Sequence, residues 1–210
     1  MTLAQSERAA LVDTLRKVGP DAPTLCGDWD ARALAAHLVI RERRPDAALG
    51  IMVSPLAGHT EKVQADTAAQ PWPDLVEKVA EGPPWYSMFS LVDRWVNLAE
   101  MFIHHEDLLR GGADPDGPWT PRSLPDDMTH ALGTTLKGMG RMTLRSLPAR
   151  VTFVTPDGAT ALVAGSGPPV TATGAVGELL LFAYGRAPVV IDWEGDPDAI
   201  AAVKATTRSV

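Results

Sequence analysis

Polar and ionisable residues recur at helical intervals between positions 93 and 107. They are Asp93, Asn97, Glu100, His104 and Asp107. The intervals alternate between four and three residues, which places these side chains along one side of an α-helix. That side of a bundle helix normally carries Leu or Ile and faces the core. Buried polar groups are costly unless they are paired, hydrogen-bonded or bound to a metal, so the stripe predicts more than a packing role.

Two members of this stripe can reach one cation, because Glu100 and His104 are one helical turn apart. A third candidate ligand, His37, lies in an earlier predicted helix beside the apolar side chains of Leu34 and Leu38. Two imidazoles and one carboxylate from facing helices make a three-ligand set that leaves coordination positions open for water or substrate. We therefore predict a metal site formed by the two histidines and the glutamate.

The neighbours of His104 have different expected roles. Asp107 lies one turn further along and is predicted to accept a hydrogen bond from the second nitrogen of the imidazole. His105 points about 100° away from His104 around the helix, so we do not expect it to share the site. The same spacing is also compatible with a buried hydrogen-bond network that joins the helices without a metal.

Apolar periodicity and end signals predict four long helices. They cover about residues 3–18, 30–44, 89–109 and 125–147. Asp30 is a natural N-cap for the second helix, which should end before Pro45. The connection between the second and third helices is long, with a short helical patch near 72–80, and this arrangement is typical of a four-helix bundle.

The pattern changes near Pro148. Alternating residues at 149–154, a turn signal at 155–158 and a partner segment at 160–163 predict a β-hairpin. Further strands are expected at 170–173 and 188–193, and further helices at 177–184 and 197–206. The sequence therefore predicts an α+β protein with a helical domain at 1–147 and a small α+β domain at 148–210.

The composition excludes several classes of partner. The chain has 210 residues, a formal net charge of −7 and a pI near 5.2, which argue against a nucleic-acid or anionic-membrane surface. No apolar run approaches the roughly 20 residues of a membrane span. The chain has one cysteine, so an intramolecular disulfide is impossible and the cytoplasm is the expected compartment. The oligomeric state stays open.

Three segments resemble one known family. Residues 24–29 with 31–38 are similar to its Gly-Trp turn and first ligand helix. Residues 97–108 resemble its Glu-x-x-x-His-x-x-Asp helix, and 179–186 with 194–196 resemble its small sterol-carrier-like C-terminal domain. The chain thus resembles the mycothiol-dependent maleylpyruvate isomerase-like proteins of the DinB superfamily. Its His-His-Glu-Asp helix is more similar to an actinobacterial branch of that family than to the isomerase itself.

The resemblance implies a DinB-like four-helix bundle followed by a small C-terminal domain. It implies a divalent metal, usually zinc, held by His37, Glu100 and His104. It also implies a small thiol of the mycothiol type as co-substrate, and isomerase or S-transferase activity on a small electrophile.

Other hypotheses remain open for the protein and for two residues. The protein could be a non-catalytic metal- or ligand-binding protein, or a partner-binding protein in which the polar stripe only specifies packing. Arg186 could bind a substrate carboxylate or could be a charge at a helix C-terminus. Cys26 could be a redox or nucleophilic thiol, or a packed residue of the turn before the second helix.

Overall fold

The computed structural model describes residues 1–44, 57–84 and 94–208, without the side chains of residues 57 and 94–96. Contacts divide the chain into two units, Met1–Gly112 and Ala113–Val210. The first unit is helical in its described parts, and the second combines helices with a four-stranded sheet. The predicted α+β class is confirmed.

The first unit contains five described helices. They are α1 (Leu3–Val18), α2 (Ala31–Arg43), α3 (Ala57–Ala68), α4 (Trp72–Glu81) and α5 (Arg94–Leu109). Helix α1 packs against α5 and α4, and α2 packs against α3 and α4. Their shared core is made of buried apolar side chains, including Leu11, Leu15, Leu34, Leu38, Leu75, Val79 and Met101.

Local signals account for where these helices begin. Helix α1 starts with a capping box, in which Thr2 and Gln5 bond reciprocally to each other's backbone N–H. Asp30 caps α2 as predicted, since its carboxylate accepts from the backbone N–H of Ala33 at 2.8 Å. These caps fix the starts of two helices whose apolar faces then meet in the core.

The turn between α1 and α2 docks against the end of α5. The backbone N–H of Leu25 donates to the carbonyl oxygen of Asp107 at 3.1 Å. Gly111 lies so close to this turn that an added Cβ would be 1.9 Å from the carbonyl oxygen of Pro23. Only a residue without a side chain fits there, and the turn is thereby held beside the last turn of α5.

The second unit is built on a sheet of strand order β2-β1-β3-β4. The strands are β1 (Arg150–Val154), β2 (Thr160–Ala164), β3 (Pro169–Thr173) and β4 (Asp192–Gly195). Strands β1 and β2 form the predicted antiparallel hairpin, β3 runs parallel to β1, and β4 is antiparallel to β3. The helices are α6 (Asp126–Thr143), α7 (Val176–Ala183) and α8 (Pro197–Ala205).

Helix α6 corresponds to the helix expected at 125–147. Within its own unit it packs against α7 and β2. For this reason the division by contacts falls between Gly112 and Ala113, ahead of the expected domain boundary after residue 147. The expected boundary after residue 147 stays a prediction.

Three elements differ from the sequence-based expectations. Helix α6 ends at Thr143, earlier than the expected residue 147. Helix α3 was not predicted, because Gly, Thr and Asp within it are poor helix formers; it is held by packing on α2 and by a bond from Gln64 to the carbonyl of Ala33. The strand expected at 188–193 begins later, at Asp192. Pro188 has no N–H to give a sheet, and the N–H of Val190 donates to the carboxylate of Glu178.

Asp93, the first residue of the predicted stripe, lies outside the described residues. Within the described chain, no helix has both the length and the apolar character needed to cross a membrane.

Replacing Gly111 with Ala should lower the free energy of unfolding by about 1–3 kcal/mol, the usual cost of overpacking, because its Cβ would strike the backbone of Pro23. Gly112→Ala is the matched control, since the nearest atom to its Cβ would be 3.8 Å away. Urea denaturation of the full chain compares the two variants. Equal stability of both would show that the turn does not dock this closely.

Candidate metal centre

One carboxylate oxygen of Glu100 is contacted by nitrogen atoms of side chains from two helices. Its Oε1 atom lies 3.2 Å from Nε2 of His104, 3.6 Å from Nε2 of His37 and 3.3 Å from Nε of Arg41. Glu100 and His104 come from α5, and the other two side chains come from α2. The structure therefore brings the three predicted ligands together, while their role as ligands stays a proposal.

Aromatic packing orients the two imidazoles. The rings of His37 and His104 meet at a centroid distance of 5.3 Å and an angle of 68°, edge to face. Trp29, from the turn before α2, also packs on His37, with ring centroids 5.2 Å apart. Because both neighbours restrict the His37 ring, its Nε2 atom is held toward Glu100.

The second nitrogen of His104 bonds to a buried carboxylate. Nδ1 of His104 lies 2.9 Å from Oδ2 of Asp107, whose side chain is completely buried. The thiol of Cys26 donates to the same oxygen, with Sγ 2.9 Å from Oδ2. The Nδ1 atom is thus engaged on one side of the ring, which leaves Nε2 to face Glu100.

Exposure increases from the back of the cluster to its front. The side chain of Asp107 is 0% exposed, that of His104 9%, that of His37 13% and that of Glu100 24%. Solvent therefore reaches the cluster at Glu100, and Asp107 supports it from the interior. A site that exchanges a small ligand needs this kind of one-sided access.

The ionisation states follow from burial and from the hydrogen bonds. Burial raises the pKa of Glu100, but the hydrogen bonds from His104 and His37 outweigh it and hold that pKa well below its usual value. Burial lowers the pKa of His104, but bonds to Asp107, Cys26 and Glu100 outweigh it, so this pKa lies well above its usual value. Burial lowers the pKa of His37 despite its bond to Glu100.

These directions give the charge of each of the three residues. At pH 7 Glu100 is ionised and His37 is neutral. His104 is in its cationic form and lies between two acidic side chains. A place where carboxylates hold an extra positive charge also suits a divalent cation.

The donor chemistry of the cluster fits such a cation. Ligand atoms of His37, Glu100 and His104 all lie within 4.8 Å of one another, a spacing from which they can converge on one ion. Nitrogen, nitrogen and carboxylate oxygen form a donor set typical of catalytic zinc sites. A second group with the same mutual spacing consists of Cys26, His104 and Asp107. His104 belongs to both groups, through its two different ring nitrogens.

Arg41 is a member of the site to which the sequence analysis gave no role. Its Nε atom lies against Glu100, and its Nη1 atom donates to Oδ1 of Asn97 at 3.3 Å. Arg41 follows His37 by one helical turn, and this spacing alone could have placed its side chain on the same face of α2 as His37. Asn97, which belongs to the predicted stripe, thus helps to hold the guanidinium beside the cluster.

The two residues that directly follow His104 bond outside the cluster. His105 bonds through Nδ1 to Glu7 at 2.7 Å and through Nε2 to Thr14 at 2.8 Å, both on α1. Glu106 forms a buried ion pair with Arg110 at 2.7 Å. The expectation that His105 lies outside the cluster agrees with these contacts.

Arg186 lies in the second unit, three residues after α7 ends. Its Nη1 atom donates to the backbone carbonyl of Tyr184 at 2.9 Å, and its side chain is partly buried. This contact is the one expected of a positive charge at a helix C-terminus. It leaves the substrate-binding role of Arg186 as a proposal.

Comparison with known proteins gives a structural likeness only. No protein-family model matches the chain, and no curated protein matches it. The solved structure of a mycothiol-dependent maleylpyruvate isomerase aligns with a TM-score of 0.61 and 15% identity, covering 92% of this chain and 91% of that chain. A histidine-to-alanine variant of such an isomerase aligns at 0.59 and 14%, covering 90% of both chains. This likeness establishes a shared fold.

His105→Ala should destabilise the protein by about 1–3 kcal/mol, because it removes a hydrogen-bond partner from the buried carboxylate of Glu7. The control is His130→Ala, since His130 is exposed on α6 and its loss should change stability by less than about 0.5 kcal/mol. Thermal and urea unfolding measure both variants. A wild-type midpoint for His105→Ala would contradict the network between α1 and α5.

Proposed function

We propose that the protein is a metal-dependent enzyme that uses a small thiol of the mycothiol type as co-substrate. The reaction is S-transfer to a small electrophilic substrate or thiol-assisted isomerisation of it. The observation that carries this proposal is the meeting of His37, Glu100 and His104 at one partly exposed carboxylate. The fold shared with a mycothiol-dependent maleylpyruvate isomerase supports the choice of thiol.

In this proposal His37 and His104 supply nitrogen ligands and Glu100 supplies an oxygen ligand to a divalent cation, for which zinc is the best match. Such a cation lowers the pKa of a bound thiol and so provides a thiolate at neutral pH. Asp107 holds the Nδ1–H group of His104 and keeps Nε2 directed at the site. The cytoplasmic location is part of the same proposal.

An external thiol is the better nucleophile because the single cysteine of the chain is already engaged. The thiol of Cys26 donates to the buried carboxylate of Asp107. Its sulfur atom lies 2.9 Å from this carboxylate, whose side chain is completely buried, and is thus directed at the interior. Cys26 is therefore poorly suited to attack a substrate.

The two proposed reactions differ in the fate of one carbon–sulfur bond. The thiolate adds to an activated carbon–carbon double bond, and the electron pair of that bond moves onto the conjugated carbonyl. If rotation follows and the sulfur leaves with its electron pair, the double bond re-forms in the other geometry. If the adduct takes up a proton, or another group leaves instead, the sulfur stays and the outcome is S-transfer. Arg41 can balance the charge of Glu100 throughout.

His104→Ala should weaken zinc binding by more than about 100-fold, beyond the usual cost of losing a residue that only supports a ligand, and should abolish thiol transfer. His105→Ala is the matched control: it is the next residue, it is buried, and its bonds are to Glu7 and Thr14. It should lose stability but keep the metal. Elemental analysis after dialysis and turnover of a generic electrophile with mycothiol measure both effects.

Each result of this comparison has a separate meaning. Equal metal content in both variants would contradict the ligand assignment. Metal uptake without turnover of any thiol would identify a non-catalytic binding protein instead. Absence of metal from the wild type, with His104→Ala changing only stability, would favour a structural network.

Arg186→Ala tests the proposal that this residue contacts a substrate anion. It should keep the metal content of the wild type and raise the KM for an acidic electrophile by about tenfold, as expected for one lost charged hydrogen bond. Arg145→Ala is the control, because Arg145 is an exposed arginine of the same unit. The same KM increase in both variants, or in neither, would remove Arg186 from the site.

A further inference from the structure

The turn before α2 is closed by a threonine side chain. Oγ1 of Thr24 accepts from the backbone N–H of Cys26 at 3.1 Å and donates to the carbonyl of Trp29 at 2.7 Å. Both bonds lie within the turn, so the position of the Cys26 backbone does not depend on its own side chain.

Backbone contacts also hold this turn against α5. The N–H of Leu25 donates to the carbonyl of Asp107, and Pro23 packs on Gly111. Docking of the turn therefore does not require the thiol. The thiol contributes one local hydrogen bond, which it donates to a carboxylate oxygen of Asp107.

That oxygen, Oδ2 of Asp107, is where the Cys26 thiol and the His104 imidazole meet. Each lies 2.9 Å from it, while Sγ and Nδ1 are 3.9 Å from each other. A carboxylate with no exposed surface needs well-placed donors, and each donor restricts how the group can rotate. With the thiol on one side, Oδ2 stays aligned with Nδ1.

We propose that Cys26 is a positioning residue of the metal centre. Its thiol fixes the carboxylate of Asp107, which in turn fixes the ring of His104 with Nε2 toward Glu100 and the cation. The same turn carries Trp29, which packs on His37, so one short segment supports both histidines. This inference rests on the metal site of the proposed function and assigns Cys26 no bond to substrate.

A different role for Cys26 is direct coordination, because Cys26, His104 and Asp107 also form a group of closely spaced donors. Cobalt(II) separates the two roles. A coordinated thiolate gives an intense charge-transfer band in the near ultraviolet, whereas nitrogen and oxygen ligands give only weak visible bands. Positioning predicts that the near-ultraviolet band is absent in the wild type.

The experiment is a cobalt(II) titration of the 210-residue chain and of two variants. Cys26→Ser keeps a hydrogen-bond donor, and Cys26→Val keeps the apolar contact but removes the donor. We expect the serine variant to bind cobalt within about threefold of the wild type and the valine variant about 10–100-fold more weakly, the range for residues that support a ligand. The visible spectrum should change in the valine variant only. Melting curves of the metal-free variants report packing.

Three results would overturn the positioning role alone. The first is wild-type affinity and spectrum in Cys26→Val, and the second is a near-ultraviolet band that disappears in Cys26→Ser. The third is equal weakening in both variants that follows their loss of melting temperature. In each case His104→Ala still tests the proposed function separately. A wild-type protein that binds no cobalt would reject the metal site and the positioning role together.

Discussion

The first unit has to hold one carboxylate among three cationic or potentially cationic side chains. Glu100 lies among His37, Arg41 and His104, and its side chain is only partly exposed. Such a group is stable only if its partners are held in place, because a misplaced donor would leave charge in a poorly solvated position. The elements around it, from the aromatic contact of Trp29 to the buried Asp107, act to hold those partners.

Much of this arrangement could be predicted from sequence because it depends on one periodicity. The spacing from Asn97 to Asp107 places polar groups on one side of a helix, and that relation is local. The bounds of α1 and the β1–β2 hairpin were predicted for the same reason, since capping, alternation and turn residues act within a few positions. The prediction that His37 of α2 meets Glu100 and His104 of α5 needed a further assumption, that His37 faces the same core.

Other features depend on contacts between distant parts of the chain, so the sequence carries weaker signals for them. The bond of Cys26 to Asp107 joins residues far apart in sequence, and no spacing rule relates a turn to a helix end. Helix α3 exists through its packing on α2 despite poor helix formers. Strand β4 is displaced because a side chain of α7 takes up a backbone N–H. In each case tertiary contacts decide what local propensity leaves open.

Adjacent histidines on α5 have a mechanical consequence for the cluster. His104 is held through Asp107 by the turn before α2, and His105 is held by Glu7 and Thr14 of α1. A turn of α5 about its own axis by one residue, about 100°, would break both sets of bonds at once. The rotation of α5 about its axis is therefore fixed by two independent sets of bonds. If a change in α1 removes one set of bonds, the other set still holds the rotation of α5, so stability is lost before Glu100 moves.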